Sequence, residues 1–186
     1  IYQLNEFVAI DLETTGLDPH KESIIEISAI KFKNGVQDAV FSYLLNPKKT
    51  ISPFIEDLTG ITNEMVFDKL LFPDIIDEFI SFISDIPIVG HNVGFDINFI
   101  KIHSKNEVNL EESHQICDTY FLSKVVLFSN SQFSLEALSD YYNLSTDGSH
   151  RATNDAINSG LVFLELLEQL ILFDKLILER LNTLFE

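Results

Sequence analysis

The stretch Phe7-Val8-Ala9-Ile10-Asp11-Leu12-Glu13-Thr14-Thr15-Gly16 decides how this chain reads. Residues 7–12 form a short apolar run ending at a Thr-Thr-Gly turn, the pattern of a buried strand. Side chains two apart on a strand share a face. Asp11 and Glu13 therefore converge, and Leu12 points to the other side. Two carboxylates held this close repel each other. A raised pKa relieves the repulsion, and so does a divalent cation, with hard oxygen ligands suiting Mg2+ or Mn2+. A strand end that reaches solvent, with both acids hydrated, is the plain alternative.

Outward from this strand, residues 24–32 are β-branched and interrupted by polar residues, which suits a second strand. Asn34-Gly35 is a hairpin signal. Residues 40–45 make a third strand, stopped by Asn46-Pro47, so the first three strands form an antiparallel meander. Helical spacing then appears over 72–83. Residues 86–89 are a short apolar run before Gly90 and read as a central strand. Residues 96–103 read as a helix, 115–117 as another short segment, and 135–142 and 153–170 as helices. Strands come first and helices alternate later, which predicts an α/β fold, a mixed sheet flanked by helices.

Two further clusters carry chemistry. His91-Asn92-Val93-Gly94-Phe95-Asp96 follows the strand at 86–89, where loops after strand ends assemble sites. In isolation Asp96 reads as a helix cap and Asn92 as a turn residue. His150-Arg151-Ala152-Thr153-Asn154-Asp155 stands between a loop with Asp147-Gly148-Ser149 and the last helix. An acid in an early helical turn, here Asp155, is favoured by the helix dipole in any case. His150 projects from the loop, and a loop histidine can reach a site as a general base or simply face solvent.

The totals set limits. The 186 residues suit one domain, and 46% apolar residues, with 16 Phe, suffice for a sizeable core. Ile1 in place of Met predicts a removed start or a piece of a longer protein. No signal peptide is read, and the apolar tract 161–173 contains Glu165 and Glu168 and is too short to span a bilayer, so no membrane partner is expected. Cys117 is the single cysteine, which excludes an internal disulfide and fits a reducing, cytoplasmic compartment. The net charge of −17 argues against a general nucleic-acid binder, although bound divalent ions would reverse the local sign.

Taken together, Asp11-x-Glu13, Asp96 and His150-x-Ala152-x-x-Asp155 resemble the three motifs of the DEDDh exonucleases. That family includes the epsilon proofreading subunit of bacterial DNA polymerase III and exonuclease domains built into some polymerases and helicases. The resemblance covers residues 7–170, and no catalytic position is missing. It implies a ribonuclease H-like fold and a 3′–5′ exonuclease that hydrolyses the terminal phosphodiester bond of DNA in proofreading or repair. It also implies two divalent cations, Mg2+ or Mn2+, held by Asp11, Glu13 and Asp155, with Asp96 completing the site in part through water. His150 would be the general base. Leu58-Thr59-Gly60-Ile61-Thr62 resembles the family's element beside the terminal nucleotide. Thr14, Thr15, Gly16 and Ile61 would line the nucleotide pocket, with His91, Asn92 and Phe95 along the strand path and Arg151 on a phosphate. The implied partners are the 3′ end of single-stranded DNA and a polymerase or helicase, in trans or in the same polypeptide. Residues 1–170 would be the exonuclease domain, and 171–186 a helical tail that packs back or leads to a further domain.

The remaining features read as structural. Lys48-Lys49 is a solvated turn after Pro47, Cys117 a core residue and Asp118 a helix cap. Phe72, Phe79 and Phe82 fall at helical spacing and belong to a core. His20, His103 and His114 show no zinc-ligand spacing. Two other functions compete with the leading one: an RNA-trimming 3′–5′ exoribonuclease of the same family, and a catalytically silent module docked on a polymerase or helicase.

Overall fold

The computed structural model describes residues 6–145 and 150–185, with side chains as far as residue 173. The Asp147-Gly148-Ser149 loop and the packing of the tail's side chains lie outside the described residues. β1 (Glu6–Thr14), β2 (Ile24–Lys33) and β3 (Val36–Leu44) form the expected antiparallel meander. β4 (Ile88–Gly90) and β5 (Ile116–Asp118) add to β1 in parallel, giving the order β3-β2-β1-β4-β5. The mixed sheet is therefore as read from sequence, and β4 is interior to it. Asn34 and Gly35 both have positive φ, 52° and 80°, as a tight hairpin requires.

The helices before β5 are α1 (Pro53–Thr59), α2 (Asn63–Val66), α3 (Phe72–Ile83), α4 (Gly94–His103) and α5 (Leu110–Ser113), followed after β5 by α6 (Thr119–Val126), α7 (Leu135–Tyr141) and α8 (Ala152–Phe185). α3 spans the residues expected. α1 and α2 are additions, and α1 carries a full set of end signals. Ser52 Oγ accepts from Ile55 N–H, Pro53 opens the helix, and Gly60 closes it at φ 68°. Asp118 caps α6 as expected, accepting from Tyr120 N–H.

Strand alternation sorts β1 into two faces. Val8, Ile10 and Leu12 pack with α3 and α4 residues such as Phe79 and Phe99. Phe7 and Ala9 pack on the other face with Ile30, Phe32 and α8 residues Ala156 and Phe163. Asp11 and Glu13 continue that second face. β2 runs alongside in register, pairing Phe7 with Phe32, Ala9 with Ile30, Asp11 with Ser28 and Glu13 with Glu26. The surface under α8 is thus apolar at one end and polar at the other. The Phe7 and Phe32 rings stack at 4.8 Å.

By length and composition alone, residues 152–173 of α8 could cross a membrane, a longer apolar segment than the tract read from sequence. In this fold the helix lies on the sheet, with Ala156, Val162, Phe163 and Leu166 buried. Its close approach depends on Gly160, where an added Cβ would stand 2.2 Å from the Phe32 ring. Gly160→Ala gains helix propensity of about 1 kcal/mol. The clash with a fully buried ring outweighs that gain, and a net loss of about 1–3 kcal/mol is expected. Denaturant titration of Gly160→Ala checks this, and equal or raised stability would contradict the packing.

Candidate active site

β1 presents Asp11 and Glu13 to α8, whose first turn carries Asp155. Carboxylate oxygens of these three residues all lie within 4.8 Å of one another. The three acids come from opposite ends of the chain, and the antiparallel pairing of β1 with β2 sets the depth at which α8 meets them. Asp96 approaches from the other side on α4. It is 4% exposed and is the third residue of the helix, not its cap; Val93 holds the cap position without a side-chain bond. The backbone N–H groups of Asp96 and Leu12 favour the charged form of its carboxylate.

The electrostatics follow from this crowding. Burial raises Asp11 well above the usual carboxylate range, and the charges of Asp96, Asp155 and Glu13 push it further. Burial, then Asp155 and Glu26, push Glu13 up to about 8 against the opposing charge of Arg151. Burial likewise raises Asp96, against its backbone hydrogen bonds. Asp155 is raised by burial, with the His150 N–H and charge working against the rise. That N–H donates to Asp155 Oδ2 at 3.0 Å, and the His150 side chain is exposed, at a backbone φ of 62°.

Beside the acids runs a cleft of about 550 Å³, with Glu13 as the shared wall. Four of the candidate substrate residues, Thr14, Thr15, Gly16 and Phe95, line it together with Leu12, Leu17, Ser52, Phe54, Ile55, Leu58 and Thr59. Leu17, Phe54 and Leu58 are exposed, Phe54 by 73%. The Thr15 hydroxyl donates to Glu22 and accepts from Ser23 N–H, and Glu22 is held in turn by Lys49 at 2.7 Å. Lys49, read as solvated, is therefore a brace for the cleft wall.

Four expected substrate residues stand elsewhere. Ile61 is fully buried with Ile25, Ile51, Ile55 and Val66, because the α1–α2 turn folds it under the helices, and Leu58 and Thr59 face the cleft instead. His91 Nδ1 pairs with Thr119 Oγ1 at 3.0 Å, and the Asn92 N–H donates to Asp118 Oδ1 at 3.1 Å, so both tie β4 to α6. Asn92 is the expected turn residue, at φ 58°. Arg151 does not line the cleft and pairs with Glu26, its Nη2 at 2.6 Å and its Nε at 3.1 Å. Cys117 is partly buried; burial and then Asp118 push its thiol up to about 11, which keeps it protonated and unreactive.

A family model described as "Exonuclease" matches residues 8–163. This chain belongs to that exonuclease family. It is 39% identical over 165 residues to 3'-5' exonuclease DinG of Bacillus subtilis, covering 88% of this chain and 18% of the relative. It is 34% identical over 164 residues to DNA polymerase III subunit epsilon of Aquifex aeolicus, covering 88% of this chain and 81% of that subunit. The match to a DNA polymerase III PolC-type of Thermotoga maritima is 36% identical and spans 12% of that protein. The exonuclease chain thus spans less than a fifth of the DinG and PolC-type relatives. Among solved structures it resembles Exonuclease X in complex with 5' overhanging duplex DNA, at TM-score 0.68 and 24% identity over 87% of this chain and 91% of that one. It also resembles E. coli Exonuclease I in complex with a dA16 oligonucleotide, at TM-score 0.74 and 20% identity over 93% and 43%. These two likenesses bear on the fold, which is ribonuclease H-like as expected.

Glu13 gives a pH prediction for the metal-free exonuclease domain. Its folded carboxyl titrates at about 8 against an ordinary 4.5, so the folded state holds the proton more tightly. The stability this contributes is complete below 4.5 and is lost as pH rises through 8. In chelator, the melting temperature of the wild type relative to Glu13→Gln should fall across that window, and Mg2+ should restore it at the alkaline end. A difference independent of pH would contradict the crowding of charge.

Proposed function

We propose that the domain is a metal-dependent 3′–5′ exonuclease that hydrolyses the terminal phosphodiester bond of DNA, in proofreading or repair. One observation carries the reading: three carboxylates with oxygens within 4.8 Å of one another share a wall with an open, apolar-lipped cleft. The donor set fits the cations such chemistry uses, since every ligand is a hard oxygen and the acids repel one another without a counter-charge. Asp11, Glu13 and Asp155 would hold two divalent cations, Mg2+ or Mn2+, with Asp96 completing the set in part through water. When bound, the cations supply the Lewis acidity and positive charge that phosphodiester hydrolysis needs.

The chain's own residues do the rest. His150 takes the proton from the attacking water. Its backbone is anchored on Asp155 while its ring is free in solvent, so it can meet the water and then release the proton. Thr14, Thr15, Gly16 and Phe95 seat the last nucleotide together with Leu17, Phe54 and Leu58. An exposed apolar and aromatic lip favours an unpaired end, whose base can stack there, over a duplex. The polarity and the choice of DNA draw on the relatives' names, a 3'-5' exonuclease and DNA polymerase III proteins. On this reading the domain works in the cytoplasm, joined to or docked on a polymerase or helicase. Residues 1–170 form its nuclease unit, with 171–186 as a tail outside it.

Single-stranded DNA labelled at its 5′ end, beside a matched RNA, tests the function with Mg2+ or Mn2+ and a chelator control. A metal-dependent ladder shortening from the 3′ end of DNA, faster than of RNA, is expected. Folded protein that shortens neither strand would point to a silent docking module. Asp155→Ala should abolish the ladder, and wild-type rates would sink the metal assignment. His150→Ala should lower kcat about 10²–10⁴-fold with DNA binding kept. Weakened binding at unchanged turnover would contradict its role as base.

A further inference from the structure

The first turn of α8 is fixed to β2 by polar contacts that the chemistry above does not use. The Glu26 side chain is only 3% exposed. Its two oxygens accept three hydrogen bonds: from Arg151 Nη2 at 2.6 Å, from Arg151 Nε at 3.1 Å, and from the Ala152 backbone N–H at 2.9 Å. Two residues along the same face of β2, the buried Ser28 hydroxyl meets Thr153 Oγ1 at 2.7 Å and Ser42 Oγ at 2.9 Å. Thr153 and Ser42 close the triangle at 2.9 Å. Residues 151, 152 and 153 are thus each tied to β2, and His150 and Asp155 flank them.

A buried ion pair is weak evidence of stability, because an apolar pair of the same volume often serves as well. A carboxylate gripped by both nitrogens of a guanidinium fork and by a backbone amide supplies direction instead. The direction here is relative to the acids, since Glu26 stands across from Glu13 and Ser28 across from Asp11. The same strand therefore references both halves of the site.

We infer that Glu26 and Arg151 form a positioning latch that sets His150 and Asp155 against Asp11 and Glu13, and that Arg151 serves the site through this latch and not by touching the substrate. The inference rests on the nuclease reading above, and the hydroxyl triangle of Ser28, Ser42 and Thr153 continues the latch one residue further into α8.

Glu26→Gln and Arg151→Lys test it. Arg151→Lys keeps a cation against the buried carboxylate, so the fold survives, but a single ammonium cannot reproduce the two-pronged grip. Steady-state kinetics on single-stranded DNA are read beside amide hydrogen exchange at residues 150–155 in the metal-free protein. The latch predicts a kcat lower by about 10–100-fold at unchanged KM for each variant. It predicts faster exchange at Ala152 and a double variant no worse than either single one. A raised KM with unchanged kcat and a shallower salt dependence in Arg151→Lys would overturn it in favour of a phosphate contact. Wild-type kcat and exchange in both variants would overturn it outright. If Glu26→Gln fails to fold, Arg151→Lys decides alone. A wild-type protein without activity would contradict the nuclease reading instead, and the exchange rates would still report on the latch.

Discussion

Carboxylate repulsion is the constraint around which this domain is organised. Asp11, Glu13 and Asp155 bring their oxygens within 4.8 Å of one another, and Asp96 presses on them from the opposite helix. No isolated strand or helix would hold that arrangement. It persists because β1 is an interior strand, clamped by β2 and β4, and because apolar packing of Phe7, Phe32 and Phe163 seats α8 at the other end of the same face. Dispersion and burial at one end of the face thus oppose electrostatic repulsion at the other. Burial first, and then the neighbouring negative charges, raise the pKa values of all four acids.

The same constraint explains how a chain with net charge −17 can serve a polyanion. Several of its cations are committed to local acids: Lys21 to Asp18, Lys49 to Glu22, Lys69 to Asp68 and Arg151 to Glu26. A phosphate backbone would find little positive surface in these. Under the proposed function, divalent cations on the acid cluster would reverse the sign where the scissile bond would sit. The exposed lip of Leu17, Phe54 and Leu58 adds a contact that needs no charge. Affinity would thereby be concentrated at the strand end, as the proposed removal of one nucleotide at a time requires.

Much of this was legible in the residues. Alternation along β1 alone places Asp11 and Glu13 on one face, and the helical start at Ala152 brings Asp155 into an early turn. Those are local rules, and they hold. What was not legible depends on contacts between distant segments. Nothing near Arg151 marks Glu26, 125 residues away, as its partner, and nothing near Ile61 tells that the α1–α2 turn buries it on Ile25. Asp96 illustrates a local reading that tertiary contact changes: it is the third residue of α4, buried against the acid cluster, and Val93 takes the cap position. The α1 helix was legible in principle, from Ser52-Pro53 at one end and Gly60 at the other, and its exposed Phe54 and Leu58 shape the cleft.

Cation binding by the crowded acids is directly measurable. Calorimetric titration of Mn2+ into the metal-free protein at neutral pH, in two buffers of different ionisation heat, counts ions and protons together. Ions should bind with release of protons, because the Glu13 carboxyl, pushed up to about 8, still holds its proton there, and Asp11→Asn should bind fewer ions and release fewer protons. No saturable binding by the wild type, or binding unchanged in Asp11→Asn, would contradict the proposed metal site.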